Sequence, residues 1–475
     1  MSEGNDVRRA YVETYGCQMN ISDGELMEGI LEAQGYRLVT SPEEADVVLV
    51  NTCAIRENAE RRVLGRVSQL NALKRERPEM VLGVTGCMAQ RLGEKLLEDA
   101  PYVDLVMGPD GYRSLPEKLA GLGNGASARG PTPSAGGHAA VTRQRKNTSR
   151  RGLQLSVLTL DPRENYQGLE QRRRSSVTAW VPIQRGCDHR CTYCIVPYVR
   201  GPEKNRDPLE VLNEIRGLAE EGITEVTLLG QTVNSYRNGD WAFPRLLQAV
   251  ARVDGIRRVR FTSPHPNDVT PDLVEVMATE SAVCEQLHLP VQAGSDRSLK
   301  RMVRRYTVAS FMEKVEMVRS GIPDLALSTD VIVAFPGETH AEYRETLSLL
   351  EEVRFDEAFT YRFSPRDGTP ATRFPAEDTV DDQEAKERLS TLIQVTRRIQ
   401  GEINQTEVGR REEILLERQG RDEATLLGRT RRNKAVVAAA APDRVGAYME
   451  VELIRTTGAT FVGEPVERTS LVGVP

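Results

Sequence analysis

The start of the sequence repeats one arrangement three times: an apolar, β-rich run ends in a cysteine, and a helical pattern follows. The runs RAYVETYGC, ADVVLVNTC and MVLGVTGC end at Cys17, Cys53 and Cys87. Strands that alternate with helices form a parallel sheet, which a fourth run, DLVMG, extends. Carboxyl ends of parallel strands meet at one edge, where open α/β folds bind ligands, so the three cysteines are predicted to share one site. The alternative is that each is a small buried packing residue.

Seven cysteines among 475 residues favour thiolate chemistry over disulfides. The number is odd, the N-terminal segment has no apolar signal-peptide core, and no run reaches the length of a membrane span. These features predict a cytoplasmic protein, in which disulfides are rare. The formal net charge of -6 excludes capture of nucleic acid by bulk charge, so any contact with RNA must be local.

A second strand–helix series begins at Thr178. Before it, residues 121–175 are predicted to be a linker or insertion, because the stretch up to residue 150 is rich in Gly, Ser and Pro; a basic arm that contacts RNA is the alternative. Six β-rich runs then alternate with helical patterns, which predicts a partial (β/α)6 barrel. Short β-rich runs after Gly409 predict a small all-β barrel of about five strands. The predicted class is α/β, with regions 1–120, 121–175, 176–408 and 409–475.

The segment RGCDHRCTYC places Cys187, Cys191 and Cys194 in C-x3-C-x2-C spacing directly after the first strand of the predicted barrel. Three thiolates can hold three irons of a [4Fe–4S] cluster and leave the fourth iron without a protein ligand. An open metal position is typical of a catalytic site rather than a structural one. A zinc ion completed by His189 or by a distant ligand is the alternative.

With Tyr193 before its last cysteine, this segment resembles the radical S-adenosylmethionine enzymes. The segments YGCQMN, NTCAIRENAE, TGCMAQR, EVTLLGQTVNSY, SPHPNDVT, HLPVQAGS and TDVIVAFPGET narrow the resemblance to the methylthiotransferases. It extends from about Tyr11 to Gly463 and implies a methylthiotransferase domain, a radical barrel and a C-terminal TRAM domain. Two positions depart from the family pattern: Gly24 stands where serine is usual, and Thr232 where asparagine is usual.

The resemblance implies a second [4Fe–4S] cluster on Cys17, Cys53 and Cys87, whose open iron carries the inserted sulfur. It implies a transferase that uses one S-adenosylmethionine as methyl donor and another as radical source. The expected product carries a methylthio group at C2 of N6-isopentenyl-adenosine beside the anticodon of tRNA, where the aromatic C–H bond is too strong for polar chemistry. The implied partners are this tRNA, an electron donor such as a flavodoxin-type reductant, and proteins that deliver sulfur or clusters, with no membrane.

Two rival functions remain open at this point. Sibling methylthiotransferases act on threonylcarbamoyl-adenosine in tRNA or on a ribosomal-protein aspartate, although YGCQMN, IRENAE and CMAQR resemble the isopentenyl-adenosine enzymes more. The other rival is a non-catalytic metal-containing protein that binds RNA through its β-barrel.

Polar residues at the predicted carboxyl ends of the barrel strands are candidates for contact with S-adenosylmethionine, and capping of a loop is the alternative for each. Tyr193 is expected near the adenine. The basic turn GRTRRNK is predicted to contact the tRNA backbone, and Cys284 to be a packing residue. The run KRMVRRYT is predicted to be a solvated helix face, with contact to phosphate as the alternative. The candidate cofactor-binding residues are Tyr193, Gln231, Asn234, Ser263 and Asp330.

Overall fold

A computed structural model describes residues 7–54, 57–123, 142–146 and 153–466. The chain divides into two compact units. Among the described helices, none combines the length and the apolar character that crossing a membrane requires. The first unit comprises Met1–Arg174, Gln184–His189 and Cys194–Arg206, and the second comprises Ser175–Ile183, Arg190–Tyr193 and Asp207–Pro475.

The first unit is built on a seven-stranded sheet with six parallel strands and one antiparallel edge strand. Strand Val47–Thr52 shows why both faces are covered: Val47 and Leu49 enter one apolar cluster, whereas Val48 and Val50 enter another. A strand that is buried on both faces reads as a continuous apolar run, as this one does. In sheet order the strands are Arg37–Leu38, Arg9–Thr14, Val47–Thr52, Val81–Gly86, Leu105–Met107, Leu153–Val157 and Thr142–Lys146.

Helices cover both faces of this sheet, which confirms the α/β class. On one face the helices pack through residues such as Leu26 and Leu119, and on the other through residues such as Val67 and Leu96. Gly93, with φ +56°, separates the last two helices of the second face. The helices are Gln18–Ala33 and Leu115–Gly123 on the first face, and Glu57–Glu76, Cys87–Leu92 and Lys95–Asp99 on the second.

The structure differs from the predicted linker at two stretches. Leu153–Val157 pairs in parallel with Leu105–Met107. The edge strand Thr142–Lys146 pairs antiparallel with Leu153–Val157. Leu155 and Val157 are buried in the core of the unit. The alternation in LQLSV is therefore a real strand signal, which the surrounding Gly- and Pro-rich composition obscured. Residues 124–141 and 147–152 of the predicted linker lie outside the described residues.

The second unit contains six parallel strands in chain order, arranged as two three-stranded sheets that a bridge between Val259 and Val283 joins. This arrangement confirms the predicted partial (β/α)6 barrel. The strands are Thr178–Pro182, Glu225–Leu229, Arg258–Phe261, Gln286–His288, Ala326–Val333 and Glu357–Arg362. The helices are Pro208–Glu220, Phe243–Ala251, Pro271–Thr279, Asp296–Arg301, Val308–Gly321, His340–Val353 and Asp382–Thr406.

A closed five-stranded barrel completes the second unit, as the sequence predicts. Its core is formed by alternating side chains such as Ile414, Leu416, Val436 and Phe461. In barrel order the strands are Arg411–Gln419, Thr425–Arg429, Ala435–Ala439, Thr460–Pro465 and Tyr448–Thr456.

Candidate active site

The structure brings the first three cysteines together at one edge of the seven-stranded sheet. Cys17 directly precedes helix Gln18–Ala33, Cys53 follows strand Val47–Thr52, and Cys87 begins helix Cys87–Leu92. The thiols of Cys17 and Cys53 are joined by a hydrogen bond, and Cys17 and Cys87 interact electrostatically. Three sulfur donors that meet at one sheet edge can hold an iron–sulfur cluster, whose usual protein ligands are thiolates.

Glycine and asparagine residues beside the cysteines make this close approach possible. A Cβ atom at Gly16, whose φ is +137°, would lie 2.6 Å from the Cβ of Cys53. The Asn20 side chain accepts a hydrogen bond from the Cys17 thiol (3.3 Å) and donates one to the carbonyl oxygen of Thr52 (3.0 Å). The local sequence YGCQMN therefore ties two of the three cysteine loops together.

The three thiols do not share one electrostatic environment. The hydrogen bond with Cys53 lowers the pKa of Cys17 to about 6, with further help from the charge of Arg200. Burial raises the pKa of Cys87 to about 11, although the charge of Arg200 opposes this shift. Desolvation of a thiol favours its neutral form, whereas a nearby cation favours the thiolate.

A buried charge network lies next to Cys87 within the first unit. The fully buried carboxylate of Asp23 accepts hydrogen bonds from Arg185 Nη1 (2.5 Å) and Arg200 Nη2 (2.7 Å). Burial alone would raise the pKa of Asp23, but the charges of Arg200 and Arg185 outweigh it and lower this pKa. Arg200 Nε also donates to the sulfur of Cys87 across 3.1 Å.

This network was missed in the sequence. The available signal was the position of two arginines on either side of the C-x3-C-x2-C segment, in the runs QRGC and YVRG. Both arginines are almost completely buried, with side chains 4% exposed. Buried guanidinium groups are rare unless paired, and hydrophobicity patterns cannot locate the acid that pairs with them.

The second cysteine triplet lies on a segment that the two units divide between them, with Cys191 in the second unit and the other two in the first. Cys187 and Cys191 are buried, and Cys194 is half-buried. The backbone N–H of Cys187 donates to the carbonyl oxygen of Gly201 (3.2 Å). Gly186 before it has φ +77°, and a side chain there would collide with the backbone of Pro202.

Within the second unit, Arg304 donates from Nη1 to the sulfur of Cys191 across 3.3 Å. Arg304 is buried and lies between two residues in left-handed backbone conformation, Val303 (φ +58°) and Arg305 (φ +55°). Non-glycine residues adopt this conformation at a cost, and such strain is concentrated at functional sites. The predicted solvated helix face KRMVRRYT is therefore wrong at Arg304, because a turn aims this side chain inward instead of toward solvent.

Two of the candidate cofactor-binding residues form internal contacts in the second unit. Asn234 donates to the carbonyl oxygen of His265 (2.9 Å) and accepts from its backbone N–H (2.7 Å), which is the geometry of a loop cap. The carboxylate of Asp330 lies 3.3 Å from Nε2 of His288, whose Nδ1 is 3.0 Å from the Ser328 hydroxyl. These contacts hold both side chains in place, but the predicted placement at a strand end is wrong for Asp330, which lies within strand Ala326–Val333, whereas Asn234 lies in a short turn beyond strand Glu225–Leu229.

The other three candidates retain polar or aromatic groups that a ligand could use. Gln231 has a buried Oε1 that accepts no hydrogen bond from the described residues. Ser263 is exposed and has φ +59°, which is unusual for a non-glycine residue. Tyr193 packs edge-on against Phe335, with ring centroids 6.4 Å apart. The roles of all five candidates in binding S-adenosylmethionine remain predictions.

The basic turn GRTRRNK in the C-terminal barrel forms internal ion pairs, and its contact with the tRNA backbone stays a prediction. Arg431 pairs with Glu285 (2.8 Å), and Lys434 pairs with Asp356 (2.7 Å). The buried Arg432 pairs with Glu407 and Glu412 (2.9 and 2.7 Å). Cys284 is buried, as predicted for a packing residue.

Comparisons with known proteins agree with this architecture. Residues 9–108 match the uncharacterized protein family UPF0004, and residues 181–350 match the Radical SAM superfamily. Among solved structures, the radical S-adenosylmethionine methyltransferase TsrM from Kitasatospora setae is similar in fold, with TM-score 0.58, 14% identity and 78% of each chain covered. The cobalamin-dependent radical enzyme OxsB has TM-score 0.54 and 12% identity over 83% of this chain and 61% of that chain.

Curated relatives are similar over almost the whole length. A protein of Chloroherpeton thalassium is 39% identical over 97% of this chain and 96% of its own. Proteins of Thermoanaerobacter sp. strain X514 and Carboxydothermus hydrogenoformans are each 41% identical, covering 98% and 95% of this chain and 95% and 97% of their own. All three are named tRNA-2-methylthio-N(6)-dimethylallyladenosine synthase.

An α/β unit with one cysteine triplet, a second triplet in C-x3-C-x2-C spacing and a partial barrel together define a radical S-adenosylmethionine enzyme of the methylthiotransferase type. The predicted class of enzyme is thus confirmed. At the level of family, the chain belongs to the tRNA-2-methylthio-N(6)-dimethylallyladenosine synthases. Its cofactors are those predicted for this family, [4Fe–4S] clusters and S-adenosylmethionine.

Proposed function

We propose that this enzyme methylthiolates C2 of N6-isopentenyl-adenosine next to the anticodon in tRNA. One S-adenosylmethionine donates the methyl group, and a second is the radical source. The observation that carries the proposal is the meeting of Cys17, Cys53 and Cys87 at one sheet edge, in a chain that also has the C-x3-C-x2-C segment. A single-cluster radical enzyme would not need this second set of thiols.

The two triplets supply the same number of ligands, so we assign their roles from the C-x3-C-x2-C spacing, which resembles that of the radical S-adenosylmethionine enzymes. Cys187, Cys191 and Cys194 would hold one cluster, and Cys17, Cys53 and Cys87 the other. When bound, the first cluster supplies the electron that cleaves S-adenosylmethionine, and the second supplies the sulfur. Arg304 and Arg200 donate to one sulfur in each triplet, at 3.3 and 3.1 Å, and the charge of Arg200 favours the thiolate of Cys87 against the effect of burial.

The remaining candidates would orient the cosubstrate in the second unit. Tyr193 would pack against the adenine. Gln231 and Ser263, just beyond their strands, and Asp330, within its strand, would offer hydrogen-bonding groups. Asn234 would act through the loop that it caps. We propose tRNA as the macromolecular partner, a flavodoxin-type protein as electron donor, and separate proteins for sulfur or cluster delivery, all in the cytoplasm.

The experiment is nucleoside mass analysis of tRNA that carries isopentenyl-adenosine, incubated with anaerobically reconstituted protein, S-adenosylmethionine and a strong reductant. Replacement of H by SCH3 is expected, and matched tRNA that lacks the isopentenyl group is the control. Formation of 5'-deoxyadenosine without this mass gain would overturn the substrate assignment and favour threonylcarbamoyl-adenosine or a ribosomal-protein aspartate. Zinc without iron or acid-labile sulfide would favour a non-catalytic RNA-binding protein.

A further inference from the structure

The guanidinium of Arg200 is held in one orientation inside the first unit. Nε donates to the sulfur of Cys87 (3.1 Å), and Nη2 donates to the carboxylate of Asp23 (2.7 Å). The buried Nη1 donates to none of the described residues. Arg200 follows the short helix Val196–Val199, and its backbone N–H closes that helix on the carbonyl oxygen of Val196 (2.8 Å). The side chain is therefore fixed from both its ends.

The charges around Arg200 leave a buried excess of positive charge beside the cysteines. Asp23 is shared between Arg200 and Arg185, so one carboxylate faces two guanidinium groups. The neighbouring buried ion pair of Lys204 and Asp110 (2.7 Å) has no net charge. A buried charge is costly unless an opposite charge offsets it. The excess positive charge can be offset by the neighbouring thiolates and by an anionic group that these thiolates bind.

Arg185 differs from Arg200 in one useful respect. Its guanidinium also bonds to Asp23, but it lies over the ring of Tyr166, 4.6 Å from the centroid, and donates to no cysteine in the described residues. The two arginines are equally buried and share one acid. They form a matched pair in which only Arg200 donates to sulfur.

We propose that Arg200 is a positioning residue for the iron–sulfur cluster on Cys17, Cys53 and Cys87: it donates to the Cys87 sulfur, and its charge offsets that of the cluster. This inference rests on the proposed function, because it assumes that these cysteines hold a cluster. Hydrogen bonds to sulfur and nearby charge set the reduction potential of such clusters, and partners just outside the ligands affect both affinity and potential. Loss of the Nε–H to sulfur contact destabilises the reduced, more negative form, so the potential falls.

The test uses the full chain with Cys187, Cys191 and Cys194 replaced by alanine, so that one cluster remains. EPR-monitored redox titration then compares this parent with R200K and with the matched control R185K. Both variants keep the positive charge, but only R200K loses the guanidinium donor to sulfur. We expect a shift to more negative potential and a lower iron content in R200K, and no shift in R185K.

A second measurement leaves Arg200 unchanged. The parent chain is labelled with [15N]arginine, and pulsed EPR of the reduced cluster is expected to detect coupling to a guanidinium nitrogen that persists in R185K. A parent that binds no iron would overturn the proposed ligand set itself. A bound cluster with the same potential in R200K and no 15N coupling would overturn the role of Arg200 alone. If R200K binds no cluster, the 15N coupling in the parent tests the role of Arg200: its presence supports the role, and its absence overturns it.

Discussion

Arg304 and Cys191 are joined by a charge-assisted hydrogen bond of 3.3 Å from Nη1 to the sulfur. The other donors of this guanidinium bond to the Tyr306 hydroxyl (2.9 Å) and the carbonyl oxygen of Pro290 (3.4 Å). Arg304 is thus also held in position by groups other than the cysteine. It can hold the Cys191 sulfur in place before any cofactor binds.

Replacement of Arg304 by glutamine is expected to reduce formation of 5'-deoxyadenosine by roughly 30-fold, because a hydrogen bond to a charged group contributes about 2 kcal/mol. The measurement is the initial rate of S-adenosylmethionine cleavage with a chemical reductant. The control is R305Q, since Arg305 is the exposed neighbour in the same turn. Equal rates for R304Q and the unsubstituted enzyme would refute a role for this contact.

Replacement of Arg258 by methionine is expected to loosen the C-terminal barrel. Arg258 is 1% exposed and donates to the carbonyl oxygens of Arg429 (2.9 Å) and Glu413 (2.7 Å). Its loss leaves the buried Glu225 with one partner fewer, and breaking a buried charge contact costs about 3 to 5 kcal/mol. Urea unfolding measures this change, with R257M at the half-exposed neighbour as the control. A free energy of unfolding like that of R257M would contradict the prediction.

Replacement of Arg432 by glutamine is expected to lower stability, by about 3 kcal/mol, rather than tRNA affinity. Its guanidinium binds both oxygens of Glu407, at 2.9 and 3.0 Å, inside the second unit. Unfolding in urea and tRNA binding by the folded protein are measured on R432Q and on R421Q, which alters an exposed arginine. Weaker tRNA binding by R432Q at unchanged stability would show that the basic turn contacts RNA after all.

Acid stability of the first unit is expected to depend on Asp23, whose pKa Arg200 and Arg185 lower against the opposing effect of burial. Because the folded-state pKa lies below the ordinary value of 3.8, this contribution is complete above that pH and is lost as the pH falls below it. Circular dichroism of the apoprotein across pH 2–7 should show this loss, and D23N should lack it. The control is E32Q, which removes a surface ion pair with Arg172. Identical acid unfolding of D23N and the unsubstituted protein would contradict the assignment.

The strands were predictable because their signal is local. The run ADVVLVNTC becomes strand Val47–Thr52, and the helical pattern after it becomes Glu57–Glu76, since apolar periodicity alone distinguishes the two. The meeting of Cys17, Cys53 and Cys87 also follows from the sequence, because parallel strands share one direction. Secondary structure and the meeting of the three cysteines could therefore be predicted from the sequence, because they depend on local pattern and on strand direction.

The charged partners of the cysteines could not be predicted in the same way. Asp23 and Arg200 are distant in sequence, and neither stands in an apolar pattern that reveals burial. The turn around Arg432 has the composition of a solvated, RNA-binding loop until Glu407 is placed against it. Pairing of buried charges depends on tertiary structure, so composition alone could not show that these side chains pair with acids.

The most direct test of the account compares C87A with C191A in one assay that measures both 5'-deoxyadenosine and the methylthiolated nucleoside. The account predicts that C191A forms neither product, because the triplet that cleaves S-adenosylmethionine is incomplete. It predicts that C87A still forms 5'-deoxyadenosine and leaves isopentenyl-adenosine without sulfur. Methylthiolated nucleoside from C87A at the level of the unsubstituted enzyme would contradict the division of labour between the two triplets.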